Sequence, residues 1–183
     1  MVHNDHFRHL RNARANSLAF ASPSRRIPGH EFTRCAAGFV FVALIVAAVH
    51  ATTPITRGWW LVAYLILVGG LSQILLGPGL IAIADRTGAR SPSQRAMRAQ
   101  LVLWNLGAVT VAVADLASIP AGVLAGSLLL LVALGAFALS LRRAEITAQE
   151  PMPAWIRGYH LLIVFLVSST IIGATLAGAL PGQ

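Results

Sequence analysis

Residues 99–141 form two long apolar arms separated by the short segment Ser118-Ile119-Pro120. Each arm has about 20 residues, the length that an α-helix needs to cross a hydrocarbon layer about 30 Å thick. The second arm carries no ionisable residue between Pro120 and Leu141. Because a chain in lipid must satisfy its backbone polar groups internally, the two arms predict a pair of membrane-spanning helices joined by a tight turn.

The composition extends this prediction to the whole chain. Hydrophobic residues make up 56% of the 183 and charged residues only 11%, whereas soluble domains carry about 25% charged residues. A soluble globular fold is therefore excluded. We predict an all-α, polytopic membrane helix bundle with five transmembrane helices, at about 35–51, 59–84, 99–117, 120–141 and 158–179. The predicted domains are a cytoplasmic, arginine-rich tail, 1–34, and a five-helix transmembrane domain, 35–180.

The arginines indicate how the chain is oriented. All fourteen basic residues are arginine, and thirteen of them fall on the side of the predicted bundle that carries the N-terminus, against Arg57 alone on the other side. The positive-inside rule then predicts a cytoplasmic N-terminus and a C-terminus outside. We attribute the net charge of +8 to these arginines and their role in orientation, and we predict no nucleic-acid partner. The arginine and alanine bias indicates a GC-rich genome, so we expect a bacterial cytoplasmic (inner) membrane protein.

Polar side chains inside the predicted spans are costly in lipid and mark packing or function. Depths estimated from a rise of about 1.5 Å per residue place them in two clusters. The inner cluster contains Gln73, Asn105 and His160, and the outer cluster contains His50 and Asp115. The inner amides either form an interhelical hydrogen bond or line a path for a solute. Asp115 either reaches interfacial water or caps a turn, or it forms a protonatable pair with His50 in an outer vestibule.

Small residues predict where helices approach closely or change direction. The segment Gly77-Pro78-Gly79 is expected to break or kink the second span, because proline lacks a backbone donor. Residues Leu80–Ala84 then either continue that helix or lie along the interface. The candidate packing positions, which serve contacts within the chain or with another protein, are Gly70, Gly77, Gly122, Gly126, Ala174 and Gly178,.

Cofactor sites are not indicated by the sequence. Cys35 is the single cysteine and is expected to pack as a small hydrophobe. His50 and His160 are predicted at opposite faces of the membrane, so one chain cannot supply two axial histidines to a haem; a single axial His50 remains an alternative. The run His3, His6 and His9 either binds a divalent metal or is a solvated tail, and no metal site is predicted.

One segment resembles a known family. The residues Gly69-Gly70-Leu71-Ser72-Gln73-Ile74-Leu75-Leu76-Gly77 are similar to the G-G-x-A-Q-x-x-x-G helix of the acetate/succinate permease family. The resemblance covers one span of five. The family's Asn-Pro-Ala-Pro motif is missing here, and the family has six spans. The resemblance implies transport of a small solute.

These observations lead to three functional hypotheses. Phosphate-binding loops, metalloprotease helices and nucleophile elbows are missing from the sequence, so we expect no catalytic activity. The first hypothesis is a non-catalytic integral subunit whose helices pack on the other membrane subunits of a larger complex; self-association is the other partner that we expect. The alternative is an oligomeric small-solute or proton-coupled permease that uses both polar clusters. A haem or redox membrane protein ranks third.

Overall fold

The computed structural model describes residues 29–53, 55–88, 92–147 and 154–179, with the side chains of 147, 154–155 and 176–179 left out. Throughout these ranges the fold is helical, and they contain no strand. Five helices are long and apolar enough to cross a membrane, which confirms the prediction of an all-α chain with five such helices. They are α1 (His30–Thr52), α2 (Gly58–Thr87), α3 (Gln94–Leu116), α4 (Pro120–Thr147) and α5 (Ala154–Ala179).

The observed helices are longer than the predicted spans. Helix α1 begins at His30, inside the predicted tail, and α4 continues to Thr147. Residues Leu80–Ala84 continue α2, which remains helical through Pro78. Helix α3 begins before the apolar run, where the Ser93 hydroxyl accepts a hydrogen bond from the Ala96 N–H (3.2 Å),. Hydropathy detects only the part of a helix that suits lipid, so polar turns at its ends are missed.

The helices alternate in direction, which gives the bundle two ends. We call the end that carries the loops 53–57 and 117–119 the Arg57 end. The opposite end, where α1, α3 and α5 begin and α2 and α4 finish, is the Arg98 end. There, the Arg98 guanidinium of α3 donates to the Glu31 carboxylate of α1 (2.9 Å). All later positions are given relative to these two ends.

Helices α3 and α4 form the most closely packed pair of the bundle. A Cβ on Gly126 would lie 2.7 Å from the backbone nitrogen of Val111 and 2.9 Å from the carbonyl oxygen of Gly107. A Cβ on Gly122 would lie 2.6 Å from that of Ala114. Gly122 and Gly126 therefore pack within the chain and allow the two backbones to touch. The turn between the helices places Ser118 in the left-handed region (φ 54°).

Helix α1 packs against α2 through two of the predicted small positions. A Cβ on Gly70 would lie 2.9 Å from Val40, and a Cβ on Gly77 would overlap the ring of Phe32. Phe32 is fully buried there and also meets Phe137 of α4 edge to face, with 6.0 Å between ring centroids. The small residues of α2 thus make room for the side chains of α1.

Helix α4 lies at the centre of the bundle and contacts α2, α3 and α5. The helices α1 and α5 are peripheral. Only 11% of the most apolar window of α1 and 17% of that of α5 are buried, compared with 39–44% for α2, α3 and α4. The apolar surfaces of α1 and α5 therefore remain to be covered by lipid or by another protein.

Helix α2 contains a π-helical turn, Leu65–Leu71, that the sequence analysis did not predict. Three successive carbonyl oxygens in it receive side-chain donors. The Ser72 hydroxyl donates to that of Leu67 (2.8 Å), the Trp104 indole to that of Val68 (3.0 Å) and the Gln73 amide to that of Gly69 (2.5 Å). Since a π-turn changes which carbonyls the helix satisfies itself, these side chains stabilise it.

Candidate functional site

Two residues of the predicted inner cluster are directly paired. The Gln73 Nε2 donates to Asn105 Oδ1 (3.0 Å), and the Asn105 Nδ2 lies 3.4 Å from Gln73 Oε1. Each amide also donates to its own helix, Gln73 to the Gly69 carbonyl and Asn105 to the Leu101 carbonyl. Gln73 is only 1% exposed. Most of the hydrogen-bonding capacity of the pair is therefore used inside the bundle, where it joins α2 to α3.

The third residue of that cluster, His160, has other partners. Its Nε2 lies 3.0 Å from Glu145 Oε1 on α4, and its Nδ1 lies 3.2 Å from the Ile156 carbonyl on its own helix. His160 lies at the Arg98 end, as its depth predicts, but it faces α4. The contact links α4 to α5.

The two residues of the predicted outer cluster are held by the same loop. Asp115 Oδ1 accepts a hydrogen bond from Arg57 Nη1 (2.8 Å). His50 Nδ1 accepts one from the Ile55 N–H (2.9 Å), and its ring meets that of Trp59 edge to face. Residues Ile55 and Arg57 thus attach the segment before α2 to α1 through His50 and to α3 through Asp115.

The backbone conformation of Arg57 is unusual and supports this arrangement. It precedes α2 with φ 63° and ψ 18°, in the left-handed region. The next residue is Gly58, where a Cβ would collide with the His50 ring. A glycine is therefore needed for His50 to reach the loop, and the loop in turn directs Arg57 towards α3.

A cavity of about 580 Å³ opens beside the Arg57–Asp115 pair. Ser118, Ile119 and Pro120 border it at the Arg57 end, and Val68, Trp104 and Leu130 border it at its deepest point. Ten residues of α4 separate Pro120 from Leu130, so the cavity extends about 15 Å along the bundle. Its walls come from α2, α3, α4 and α5.

The walls of the cavity are aromatic but offer few free donors. The Tyr64 hydroxyl donates to the Ala108 carbonyl (3.2 Å), and the Trp104 indole donates to the Val68 carbonyl (3.0 Å). Trp60 stacks on Tyr64 with 5.1 Å between ring centroids. These side chains therefore present mainly ring surface. The other polar side chains that line the cavity are Arg57, Asp115, Ser118, Ser127, Ser169 and Thr170.

Helix α5 contributes to the cavity and is also joined to α2 at the Arg98 end. There, the Tyr159 hydroxyl donates to the Leu76 carbonyl of α2 (2.7 Å), and Gly79 leaves room for its ring. Towards the Arg57 end both helices line the cavity. Ala174, predicted as a packing position, lines a wall there, and the surroundings of Gly178 are not described.

Gln100 is a buried polar residue that the sequence analysis missed. It is 3% exposed, and its Nε2 donates to the Ser140 hydroxyl of α4 (3.1 Å). Its Oε1 has no hydrogen-bond partner among the described residues. A signal was present in the sequence, since Gln100 shares a helical face with the apolar Met97 and Trp104 at spacings of three and four residues.

Metal and cofactor predictions are only partly covered by the structure. Within the described ranges, no group of three or more His, Cys, Asp or Glu side chains is arranged to hold a metal ion. His3, His6 and His9 lie outside those ranges. No cofactor was predicted, and a single axial haem ligand at His50 stays an alternative; the Nδ1 of His50 accepts a hydrogen bond from the Ile55 N–H.

Comparison of the chain with protein-family models, curated proteins and solved structures gives no match. The resemblance to the acetate/succinate permease family therefore rests on residues Gly69–Gly77 alone. That segment contains the end of the π-helical turn and Gln73.

Proposed function

We propose that this chain is a non-catalytic integral subunit of a larger membrane complex. The observation that best supports this proposal is a set of exposed glycines on apolar helix faces. A Cβ on Gly38 of α1, Gly135 of α4 or Gly158 of α5 would meet nothing within 4 Å. Glycine weakens a helix and gains nothing against lipid, whereas small residues allow the close backbone contacts of membrane helix interfaces.

The pairing of polar groups inside the bundle supports the same proposal. The Gln73–Asn105 and Glu145–His160 contacts each join two helices of the fold. Amide and imidazole groups that hold helices together have little hydrogen-bonding capacity left for a reactant. The peripheral helices α1 and α5 provide the apolar area that a partner subunit would cover.

Native purification tests this proposal. The full chain, extracted in a mild detergent, should co-purify with one or more other membrane proteins in fixed stoichiometry. Gly38→Leu should lower the yield of partner severalfold because the added side chain separates the helices. Leu44→Val changes an exposed residue on another face of the same helix, and should leave the yield unchanged. Recovery of the chain alone or as a homo-oligomer would contradict the proposal.

A small-solute permease is the second candidate, and the cavity is the observation that favours it. The cavity reaches from the Arg57 end to Val68 and Trp104; Val68 precedes Gln73 on α2, and Trp104 is next to Asn105 on α3. Opening of the Gln73–Asn105 pair would extend the cavity towards the Arg98 end. In reconstituted vesicles, Gln73→Leu should then abolish uptake of acetate or succinate while the protein still folds. Absence of uptake by the unmodified chain would eliminate this candidate.

The proposed orientation places the Arg98 end in the cytoplasm of a bacterium. The arginines described at this end are Arg34, Arg86, Arg95, Arg98, Arg142, Arg143 and Arg157. The Arg57 end has Arg57 alone among the described arginines. Such an asymmetry is typical of chains whose arginine-rich loops stay in the cytoplasm.

A further inference from the structure

We propose that the cavity at the Arg57 end binds a neutral single-chain amphiphile whose head group presents carbonyl oxygens to Arg57. The volume of about 580 Å³ falls within the range of about 300–1,000 Å³ that is typical of ligand pockets. The cavity begins at the end of the bundle and continues into its apolar middle. A molecule with a polar head and an apolar chain matches that gradient.

Arg57 determines the chemistry of the head group. A guanidinium carries five N–H donors, and the described residues use one of them, Nη1 to Asp115 Oδ1 (2.8 Å). The Arg57 side chain is 42% exposed, so its other donors can reach a ligand. Because Asp115 already balances its charge, an anionic head would compete with a carboxylate. A neutral ester carbonyl accepts hydrogen bonds without that competition.

The deeper walls determine the chemistry of the tail. The donors of Tyr64 and Trp104 are satisfied by backbone carbonyls, so a chain that covers these rings leaves no donor unpaired. Val111, Leu130 and Leu166 complete an apolar lining at this depth. A saturated acyl chain loses nothing by burial there, whereas a polar group would lose its hydration.

A binding assay on the full chain in lipid nanodiscs tests the proposal with two radiolabelled probes of equal chain length. Monolauroylglycerol has a neutral ester head, and laurate at pH 8 has a charged carboxylate. The unmodified protein should bind the ester more tightly than the carboxylate. Arg57→Leu should weaken binding of the ester about tenfold, the effect of losing a hydrogen bond to a charged group.

The variant Asp115→Asn separates head-group recognition from non-specific hydrophobic binding. The substitution leaves the positive charge of Arg57 without its partner. The affinity for laurate, relative to the affinity for the ester, should therefore rise about tenfold. Equal affinities for both probes in the unmodified protein, or an unchanged preference in Asp115→Asn, would overturn the proposal even if Arg57→Leu failed to fold.

A cavity-filling variant tests the location of the site. Gly173 lines the cavity, and a Cβ there would meet nothing within 4 Å, so Gly173→Leu should fold and weaken binding of both probes at least tenfold. Ser168→Leu is the control, since Ser168 is an exposed residue of the same helix that is not among the residues lining the cavity. Equal binding by the two variants would place the probes elsewhere, in bulk lipid or at the helix surface.

Discussion

At the scale of single residues, the buried polar groups show what position along a helix can predict. Gln73 and Asn105 were expected at one depth because the spans and the rise per residue fix depth. The structure has them hydrogen-bonded. His160 lies at the predicted end of the bundle but contacts Glu145. Depth follows from the sequence, whereas the direction in which a side chain faces depends on how each helix is rotated in the bundle.

Replacement of Gln73 by leucine should destabilise the bundle because Asn105 loses its interhelical partner. The expected cost is about 1 kcal/mol, between the average of about 0.6 kcal/mol for membrane hydrogen bonds and the penalty of an unpaired buried amide. Reversible unfolding of the protein in bicelles by sodium dodecyl sulfate measures this free energy.

The double variant Gln73→Leu/Asn105→Leu supplies the control for this prediction. If the two amides act as a pair, its cost should be smaller than the sum of the two single costs. Strict additivity would show that each amide acts through its own helix, by the bonds to the carbonyls of Gly69 and Leu101.

At the scale of elements, the π-helical turn of α2 was beyond prediction from the sequence. A Gly-Gly pair inside an apolar run permits several helical geometries. The donors that stabilise the turn include Trp104, which lies 36 residues after Val68 in the chain. The turn therefore depends on the packing of α3 against α2, a contact that hydropathy does not contain.

The α3–α4 hairpin, in contrast, was predicted from two apolar segments of spanning length and the turn between them. The close contact of α3 and α4 at Gly126 gives a prediction at the scale of elements. Gly126→Ala should destabilise the protein by about 1–3 kcal/mol, because the new methyl must push two backbones apart. Thermal unfolding followed by circular dichroism in detergent would show a lower midpoint.

Gly135→Ala is the matched variant on the same helix. The added Cβ there meets open space, so the gain in helix propensity should leave the midpoint equal or slightly higher. A similar loss in both variants would show that the backbone contact of α3 with α4 at Gly126 contributes little.

At the scale of the whole molecule, the number of helices followed from the sequence, but their full length and the cavity did not. Apolar length specified five helices, and glycines such as Gly70 and Gly126 indicated where backbones could meet. The cavity is lined by residues of α2, α3, α4 and α5. Its shape depends on how these helices pack in three dimensions, which leaves no periodic pattern in one helix.

The orientation of the molecule gives the last prediction. Cys35 is the single cysteine, so a Cys35→Ser background allows one thiol to be placed at either end. Thr56 and Gln94 are exposed at the Arg57 end and the Arg98 end. In intact bacterial cells, a membrane-impermeant maleimide should label Thr56→Cys, whereas Gln94→Cys should react only after lysis, because arginine-rich ends resist translocation. Labelling of Gln94→Cys in intact cells would show that the bundle has the opposite orientation. The cavity would then open towards the cytoplasm, and amphiphiles would enter it from the cytoplasmic leaflet.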